Sequence, residues 1–392
     1  MGDIMKENKN VPEIRFEGFE GEWEDNQFNN VAIYRNGRAH ENDIEERGKY
    51  IVVNSKFVST NGEVKKYSNK QNEPLYLGEI AFVLSDVPNG RAIARTFLVD
   101  ANNKYTLNQR IAAITPTEET DSYFLYILLN RNKYFLQFDD GAKQTNLSKV
   151  DVENFLSYYP SKPEQSQIGT FFQNLDKQIT LEQQKHDKLV TLKKAMLEKM
   201  FPKEGASVPE IRFEGFENPW IQKEIKELFK ITRGEVLAAT ETSQVKTGFM
   251  TYPVYSSQTK NNGLMGYYHD YLFENAITWT TDGANAGTVK YRKGKFYSTN
   301  VNGVLLSDDG YANQAIAESI NIIAWKHVSY VGNPKLMNNV MSKIKIYISD
   351  SLEEQQLISD YFNTFDTFIS LQQQKIDKLK NIKKACLDKM FV

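Results

Sequence analysis

Two segments of the chain carry apolar residues at alternating spacings of three and four, or at multiples of these steps. In residues 164–201 this stripe consists of Ile168, Phe172, Leu175, Ile179, Leu189, Met196 and Met200. In residues 354–391 it consists of Ile358, Phe362, Phe365, Ile369, Ile376, Leu379, Cys386 and Met390. Such a period predicts an amphipathic helix in each segment. Neither segment contains an internal proline, so each is predicted to form one continuous helix.

A helix of this length spans somewhat more than about 50 Å at about 1.5 Å per residue, and its apolar face needs a partner. The simplest partner is the other helix, packed antiparallel as a coiled coil about a pseudo-twofold axis. Glu182, His186 and Gln372 fall near the predicted seam. Docking of helices from another protein is the alternative role of the stripe. The candidates for docking are Leu175, Ile179, Leu189, Met196, Phe365, Ile369, Leu379 and Met390.

Shorter runs rich in Val, Ile and aromatic residues predict strands between these helices. They lie at residues 50–59, 79–85, 91–99 and 107–115, and at residues 276–281 and 288–298. Asp121 or Ser122 can cap a helix that continues through Phe138, with an apolar surface suited to covering a sheet. A tight glycine-containing connection, residues 282–287, separates the last two predicted strands.

Two blocks of the chain, one short and one long, each occur twice. Residues 11–20 and 208–217 both read VPEIRFEGFE, and residues 164–201 align without gaps to residues 354–391 with about half of the positions identical. The intervening segments, about 40–160 and 235–350, show no obvious similarity to each other. Two copies of one frame with different inserts indicate a shared scaffold that presents two separate binding units.

These observations predict an α+β fold with two α/β-mixed domains separated by two long helices. The predicted divisions are a tail at 1–10, a domain at 11–160 with a short repeated block at 11–23, and a helix at 161–201. These are followed by a linker at 202–207, a domain at 208–350 with a short repeated block at 208–220, and a helix at 351–392.

Composition limits the range of functions. The 392 residues include 48 Lys and Arg against 50 Asp and Glu, a net charge of −2, whereas an autonomous DNA-binding protein normally has a basic surface. Any DNA binding is therefore expected to need partner proteins. One cysteine and four histidines form no recognisable zinc or thiol-catalysis pattern. A charged start and the lack of a membrane-length apolar run predict a cytoplasmic protein without a membrane partner.

Polar loops marked by glycine are the candidates for binding DNA, because they can place Lys, Arg, Gln and Asn against bases and phosphates. The candidate contacts are Lys56, Asn61, Arg91, Lys143, Gln144, Thr145, Asn146, Ser257, Gln258, Lys260, Asn261, Thr281 and Asn285. Ser, Asn and Gly also form ordinary turns, so a purely structural role stays open for each of them.

Four features together resemble the specificity subunits of type I restriction-modification systems. They are PEIRFEGFEGEW in the first short block, the long blocks that begin EQ and end KKAMLEKMF or KKACLDKMF, the segment GAKQTNLSKVDVENF (141–155), and TTDGANAG (280–287). The resemblance covers essentially the whole chain, and the two-copy layout is its most specific part.

The resemblance implies that each domain is a target-recognition domain that reads one half of a split site in double-stranded DNA. The helices would set the separation of the half-sites and dock two methyltransferase subunits, with up to two restriction subunits. S-adenosylmethionine, ATP and Mg²⁺ would act on those partners. The chain itself is expected to hold no cofactor, no metal and no catalytic residue.

One departure concerns the start of the second long helix. Residues 157–164, SYYPSKPE, precede the first helix, whereas residues 348–353, ISDSLE, precede the second without the prolines. The sequence leaves the direction of the second helix open.

Two other functions compete with this interpretation. The chain could itself be a methyltransferase or nuclease, but the nearest string to an Asn/Asp-Pro-Pro-aromatic motif, Asn218-Pro219-Trp220, lacks the second proline. A glycine loop at residues 16–21 is lost in the second copy, where Asn218 replaces Gly21, and no GxxxxGK[ST] motif occurs. A coiled-coil scaffold with two protein-binding domains is the second alternative, and sequence-dependent DNA binding would distinguish it.

Overall fold

The computed structural model describes residues 10–88, 90–257 and 260–392. They form two compact units. The first unit comprises the chain up to Glu182 together with Lys375–Val392, and the second unit comprises Gln183–Gln374. Each unit therefore contains one variable domain and parts of both long helices. The tail predicted at residues 1–10 lies outside the described residues except for Asn10.

The first unit begins with the variable domain and continues into a long helix. Its strands are β1 (Glu24–Gln27), β2 (Ala32–Asn36), β3 (Tyr50–Val53), β4 (Tyr67–Ser68), β5 (Ile80–Val83), β6 (Ser85–Asp86), β7 (Thr96–Leu98), β8 (Tyr105–Leu107), β9 (Ile111–Pro116), β10 (Thr145–Asn146) and β11 (Leu156–Tyr159). Its helices are α1 (Phe28–Val31), α2 (Ser55–Ser59), α3 (Ser122–Leu129), α4 (Lys133–Leu136), α5 (Lys149–Glu153) and α6 (Lys162–Met200), the last of which continues into the second unit.

The core of this domain lies between an antiparallel sheet and the helices after it. The sheet has the order β2-β9-β5-β7, and a smaller sheet has the order β4-β3-β8 with β3 and β8 parallel. The side chains of Phe82, Phe124, Phe135 and Phe155 are fully buried together. Asp121 caps α3 as predicted, because its carboxylate accepts hydrogen bonds from the amides of residues 123 and 124.

Several predicted elements of this domain differ from the structure. The strand predicted at 107–115 is two strands, β8 and β9, separated by residues 108–110. The strand predicted at 50–59 ends at Val53, and Asn54 then caps α2 by accepting a bond from the amide of Phe57 at 2.9 Å. Only Thr96–Leu98 of the run 91–99 forms a strand. The helix predicted to reach Phe138 is interrupted after Leu129, because Arg131 has a φ of 56° and its amide bonds to the carbonyl of Ala94.

The second unit contains the other variable domain. Its strands are β12 (Ile221–Glu224), β13 (Lys230–Arg233), β14 (Tyr252–Tyr255), β15 (Leu264–Tyr268), β16 (Phe273–Thr280), β17 (Val289–Ser298), β18 (Asn302–Leu306) and β19 (Lys345–Ile348). Its helices are α7 (Ile225–Leu228), α8 (Gln314–Ala324), α9 (Asn338–Met341) and α10 (Leu352–Lys389), whose last part belongs to the first unit.

A six-stranded sheet of order β13-β18-β16-β17-β14-β15 forms the centre of this domain. β16 and β17 pair antiparallel, as the sequence predicts for the strands on either side of residues 282–287. Alternate residues of this hairpin, including Ile277, Trp279 and Val289, are buried in the core that α8 covers. The opposite face of the hairpin carries Thr278, Lys290 and Arg292.

The two long helices pair antiparallel within each unit. In the first unit Lys383 Nζ lies 2.6 Å from Asp176 Oδ1, and Lys375 Nζ lies 2.9 Å from Glu182 Oε1. Residues further along α6 therefore pair with residues nearer to the N-terminus of α10, which is the antiparallel direction. In the second unit the equivalent pair, Lys193 Nζ and Asp366 Oδ1, is 2.7 Å apart. The predicted antiparallel pairing is therefore present in each unit.

The apolar stripe packs inside the units. Leu175 and Met390 are buried in the core of the first unit, and Leu379 packs against them. Phe365 is buried in the second unit, with Leu189 and Met196 against the same cluster. Ile179 and Ile369 are half-buried. Because the chain itself covers the buried side chains, any docking surface has to lie on other faces of these helices.

The short repeated blocks join the two helices within each unit. Arg15 forms a two-bonded ion pair with the buried carboxylate of Glu164, at 2.7 and 2.8 Å. Arg212 does the same with Glu354, at 2.6 and 2.9 Å. The backbone amide of the residue that follows the Pro-Glu pair of each block then donates a hydrogen bond to the last turn of the other long helix. Ile14 N donates to the carbonyl of Lys389, and Ile211 N donates to the carbonyl of Lys199.

Both long helices begin in the same way despite the missing prolines. Gln165 donates from Nε2 to the carbonyl of Pro160 at 2.9 Å, and Gln355 donates to the carbonyl of Ser349 at 2.8 Å. In each case the glutamine side chain holds the chain that precedes the helix. The glutamine of the repeated EQ pair, rather than a proline, therefore fixes the start of the second helix. Among the described residues, no helix is long and apolar enough to cross a membrane.

Candidate nucleic-acid interface

Each variable domain brings two polar loops together at the same place in its fold. In the first unit these paired loops are residues 85–88 and 139–146, joined where β6 pairs with β10 and where the amide of Leu147 binds the carbonyl of Leu84. In the second unit they are residues 282–287 and 329–335, where the amide of Leu336 binds the carbonyl of Thr281. The two units thus present equivalent loop surfaces that are built from different residues.

Gln144 and Asn146 form an ordered amide cluster in the first unit. The hydroxyl of Ser85 donates to Asn146 Oδ1 at 2.7 Å and accepts from Gln144 Nε2 at 2.8 Å. Both amide side chains are exposed. Asn and Gln side chains can bind the N6 and N7 edge of adenine, so this cluster is suited to reading a base. Ser85 had no signal of its own in the sequence beyond its position at the end of a predicted strand.

The neighbours of this cluster have different roles. Thr145 is buried and donates from its hydroxyl to Asp139 at 3.0 Å, so it supports the loop and is not exposed to DNA. Lys143 is exposed, and its amide binds Asp140 at 3.3 Å. The prediction that residues 143–146 contact DNA is therefore compatible with this structure for three of the four positions.

The remaining candidates of the first domain are two exposed cations and one turn residue. Lys56 is exposed on α2, and the preceding Ser55 bonds to the carbonyl of Ser85 at 3.4 Å. Arg91 is exposed in the loop after β6. Asn61 is exposed after α2 with a φ of 49°, a conformation that Asn tolerates in turns, and a contact with DNA stays a prediction for it. Lys56 and Arg91 stay predicted contacts.

In the second domain the structure brings Ser257 and Asn285 together. Asn285 Nδ2 donates to the carbonyl of Ser257 at 3.1 Å, which joins the turn after β16 to the loop after β14. Thr281 is fully buried, and its hydroxyl bonds to Asp282 at 2.7 Å. Thr281 is therefore not available to DNA in this structure, because it stabilises the turn from inside.

Three further candidates lie in the loop after β14. Asn261 is exposed with a φ of 50°. Gln258 and the side chain of Lys260 lie outside the described residues. Both stay predictions from sequence alone.

An exposed apolar pair beside the turn was missed in the sequence. Tyr330 and Val331 are 69% and 92% exposed at the tip of the loop 329–335. Ser329 and Lys335 close this loop with two backbone hydrogen bonds of 2.8 and 2.9 Å. Apolar side chains on a supported loop can contact the methyl group of thymine or wedge between bases. Their signal in the sequence was weak, because single exposed apolar residues are common on protein surfaces.

The described residues contain no group of three or more His, Cys, Asp or Glu side chains placed to hold a metal ion. Cys386 is half-buried on α10 and packs against the core of the first unit. Its surroundings are those of a core residue, as the apolar stripe predicts.

Comparisons with known families identify the chain at the level of its domains. The family described as the type I restriction modification DNA specificity domain matches twice, at residues 20–191 and 217–381. The two matches correspond to the two variable domains with the helices that follow them.

Curated relatives from Mycoplasma pneumoniae agree with this match. A protein named as the N-terminus of a type I specificity subunit is 38% identical over 144 residues, which are 36% of this chain and 75% of that protein. The specificity subunit of the type I restriction enzyme MpnII is 30% identical over 187 residues, which are 47% of this chain and 52% of that protein.

Solved structures share the fold. The S subunit of a type I restriction-modification system from M. genitalium superposes with a TM-score of 0.73 at 15% identity, covering 97% of this chain and 99% of that one. A chain from a structure of type I R-M complex assembly and conformational transition gives 0.51 at 15% identity, covering 94% and 97%. On the family match above all, the chain belongs to the type I restriction-modification specificity subunits, the non-catalytic proteins that recognise DNA sequence in these systems.

Proposed function

We propose that this chain reads a bipartite target in double-stranded DNA, with one half-site for each variable domain. The observation that carries the proposal is the presence of the same paired loops in both units, built from unrelated residues. Equivalent positions on a repeated frame suit two readers of the same kind. Different side chains at those positions suit two different base sequences.

The chemistry of the two surfaces supports separate half-sites. The first unit presents the amides of Gln144 and Asn146 beside exposed Lys56, which can combine base reading with phosphate contact. The second unit presents Asn285 in one of its paired loops and the exposed Tyr330 and Val331 in the other. The near-neutral net charge means that partner subunits supply much of the attraction to phosphate.

Docking of two methyltransferase subunits is the second part of the proposal. The long helices carry exposed apolar residues at equivalent positions: Leu181 and Ile382 in the first unit, and Leu371 and Leu192 in the second. Their exposed fractions lie between 39% and 55%, which leaves apolar surface for another protein. Because each unit carries the same pair, the chain would hold two copies of one partner in equivalent positions.

The catalytic work is assigned to those partners. In this proposal the methyltransferase subunits bind S-adenosylmethionine and modify adenine, and up to two restriction subunits use ATP and Mg²⁺. The chain contributes the choice of sequence and holds no cofactor. Its place of action is the cytoplasm, where the DNA is.

The test is to sequence methylated adenines in cells that express this chain with its cognate methyltransferase subunit, against cells with the methyltransferase alone. A new split motif that appears only with this chain supports the proposal and reveals the target. A stable complex without any new methylation would contradict it and favour a scaffold that does not recognise DNA.

A further inference from the structure

A polar pocket opens between the loops of the second unit, on the face of the β16–β17 hairpin opposite α8. Its volume is about 210 Å³. The residues that shape it include Ser257, Thr278, Asn285, Lys290, Arg292 and Asn302. Two of these are basic, the others carry hydroxyl or amide groups, and none of the described residues that line the pocket is Asp or Glu. No pattern in the sequence marks Lys290 or Arg292 as binding residues.

Arg292 is buried without a carboxylate partner. Only 8% of the residue is exposed, and its guanidinium carbon stands 3.7 Å from the centre of the Tyr255 ring. Nε donates to the hydroxyl of Thr278 at 3.2 Å. None of the ion pairs formed among the described residues includes Arg292. A buried cation is stabilised by a counter-charge or by several acceptors, and an anion in the pocket would supply the counter-charge that Arg292 lacks.

The acidic groups near Lys290 already have another partner. Lys193 lies 3.0 Å from Glu318 and 2.7 Å from Asp366, so this one ammonium group faces both carboxylates. Burial lowers the pKa of Lys290, and burial lowers the pKa of Arg292 to about 10. Arg292 is therefore still cationic at neutral pH, whereas the two nearby carboxylates already share Lys193.

We propose that this pocket binds a phosphate-class oxyanion, held by Arg292 and Lys290. The pocket volume is several times the roughly 30 Å³ that one water occupies in the liquid, which leaves room for a tetrahedral anion. Hydroxyl and amide groups on the wall can donate to its oxygens, and the absence of a lining carboxylate removes the usual repulsion.

A phosphate of the DNA backbone is the source that the position favours. Ser257 and Asn285 form part of the pocket and also belong to the candidate interface. The assignment to a DNA phosphate rests on the proposed function, whereas a free phosphate ion would bind through the same contacts whether or not the chain reads DNA. Phosphate titration and DNA binding by the same variants separate the two sources.

The first arm uses inorganic phosphate and the full chain. The melting temperature is measured against phosphate concentration at constant ionic strength, with chloride as reference, for the wild type, R292Q, K290Q and K293Q. Lys293 is the matched control, because it is exposed on the same strand one residue away. Phosphate should raise the melting temperature of wild type and K293Q, and this rise should be lost in R292Q and reduced in K290Q. No rise in the wild type overturns the proposal.

The second arm uses duplex DNA that carries the target, with the chain in complex with its methyltransferase. One lost phosphate contact should lower the slope of log K against log salt by about 0.9 in R292Q and K290Q, and leave K293Q unchanged. A normal slope together with phosphate binding would exclude DNA as the source and leave a site for a free oxyanion. Phosphate binding without any DNA binding by the wild-type complex would refute the proposed function while the anion site stands.

Loss of folding in R292Q would not decide the question, because the buried guanidinium also packs on Tyr255. In that case the proposal is tested by phosphate titration of the wild type and of K290Q, because Lys290 is only half-buried. A phosphate response that K290Q and R292Q both retain in full would assign these cations a structural role only, and the proposal would be wrong.

Discussion

At the scale of single residues, the repeated blocks are explained by a few charged contacts. Arg15 and Arg212 each place a planar guanidinium against a buried glutamate, Glu164 or Glu354, with two hydrogen bonds. Lysine could not form both bonds in this geometry. The sequence predicted the repetition of these residues, but it did not predict that the arginine of one block binds the glutamate of another. That pairing depends on contacts between residues more than 140 positions apart.

Substitution R212A should destabilise the second unit strongly. The change leaves the carboxylate of Glu354 buried without a counter-charge, and we expect a loss of about 3–5 kcal/mol in the free energy of unfolding. Denaturant unfolding followed by circular dichroism measures this. As a control, K223A breaks the exposed pair between Lys223 and Glu227 and should cost less than about 1 kcal/mol. Equal effects of the two substitutions would refute the structural role of the arginine.

Substitution Q144A or N146A should change one half of the methylated motif. Each amide can contribute about 1–3 kcal/mol of discrimination when it binds the edge of an adenine, so its loss should relax one position of one half-site. Sequencing of methylated adenines shows the outcome. N30A removes an exposed amide elsewhere in the same unit and should leave the motif unchanged. A change in both half-sites would contradict the division of labour between the two domains.

At the scale of elements, long periodic segments are predictable and short elements are not. The sequence predicted one helix in each long block, and the structure has α6 and α10 there. It missed α2, because Phe57 and Val58 belong to a run with the composition of a strand. The segment is helical because Asn54 caps its first turn, and the side chains of both residues are buried in this helix. It also missed the break at Arg131, which depends on a bond to the distant carbonyl of Ala94.

Substitution D121A should weaken the attachment of α3 to the long helix. The carboxylate caps α3 at the amides of Tyr123 and Phe124 and also accepts a bond from Ser166 at 3.2 Å. Loss of such a cap costs about 1 kcal/mol, and denaturant unfolding should show a decrease of this size or larger. D121N keeps an acceptor at the same position and should retain most of the stability. Equal losses in the two variants would show that the negative charge, and not the cap, is what matters.

At the scale of the whole molecule, the repeat predicted two recognition domains on a common scaffold. No sequence pattern predicted which bases these domains recognise. Gln144 and Asn146 were predicted as candidates because polar loops between strands suggested them, and the structure adds Ser85, which orders both. The prediction included Thr281, which is buried, and omitted Tyr330 and Val331, which are exposed. Burial of a loop residue depends on how two loops pack together, and local sequence patterns do not determine that packing.

In the proposed function, the two long helices set the spacing of the two half-sites. Both long helices continue through the boundary between the units, at residues 182–183 and 374–375. Insertion of seven helix-forming residues at both boundaries keeps the antiparallel register and lengthens each helix by about 10 Å. At about 3.4 Å per base pair, the unread spacer should grow by about three base pairs.

Methylation sequencing of this double-insertion variant measures the spacer and both half-sites together. A control insertion of the same length in the loop 202–207 adds residues outside the helices and should leave the spacer unchanged. Because the paired loops lie in the variable domains, the letters of both half-sites should be the same as in the wild type. If the letters change while the spacer stays the same, the helices do not set the spacing, and base recognition depends on the helical frame as well as on the loops.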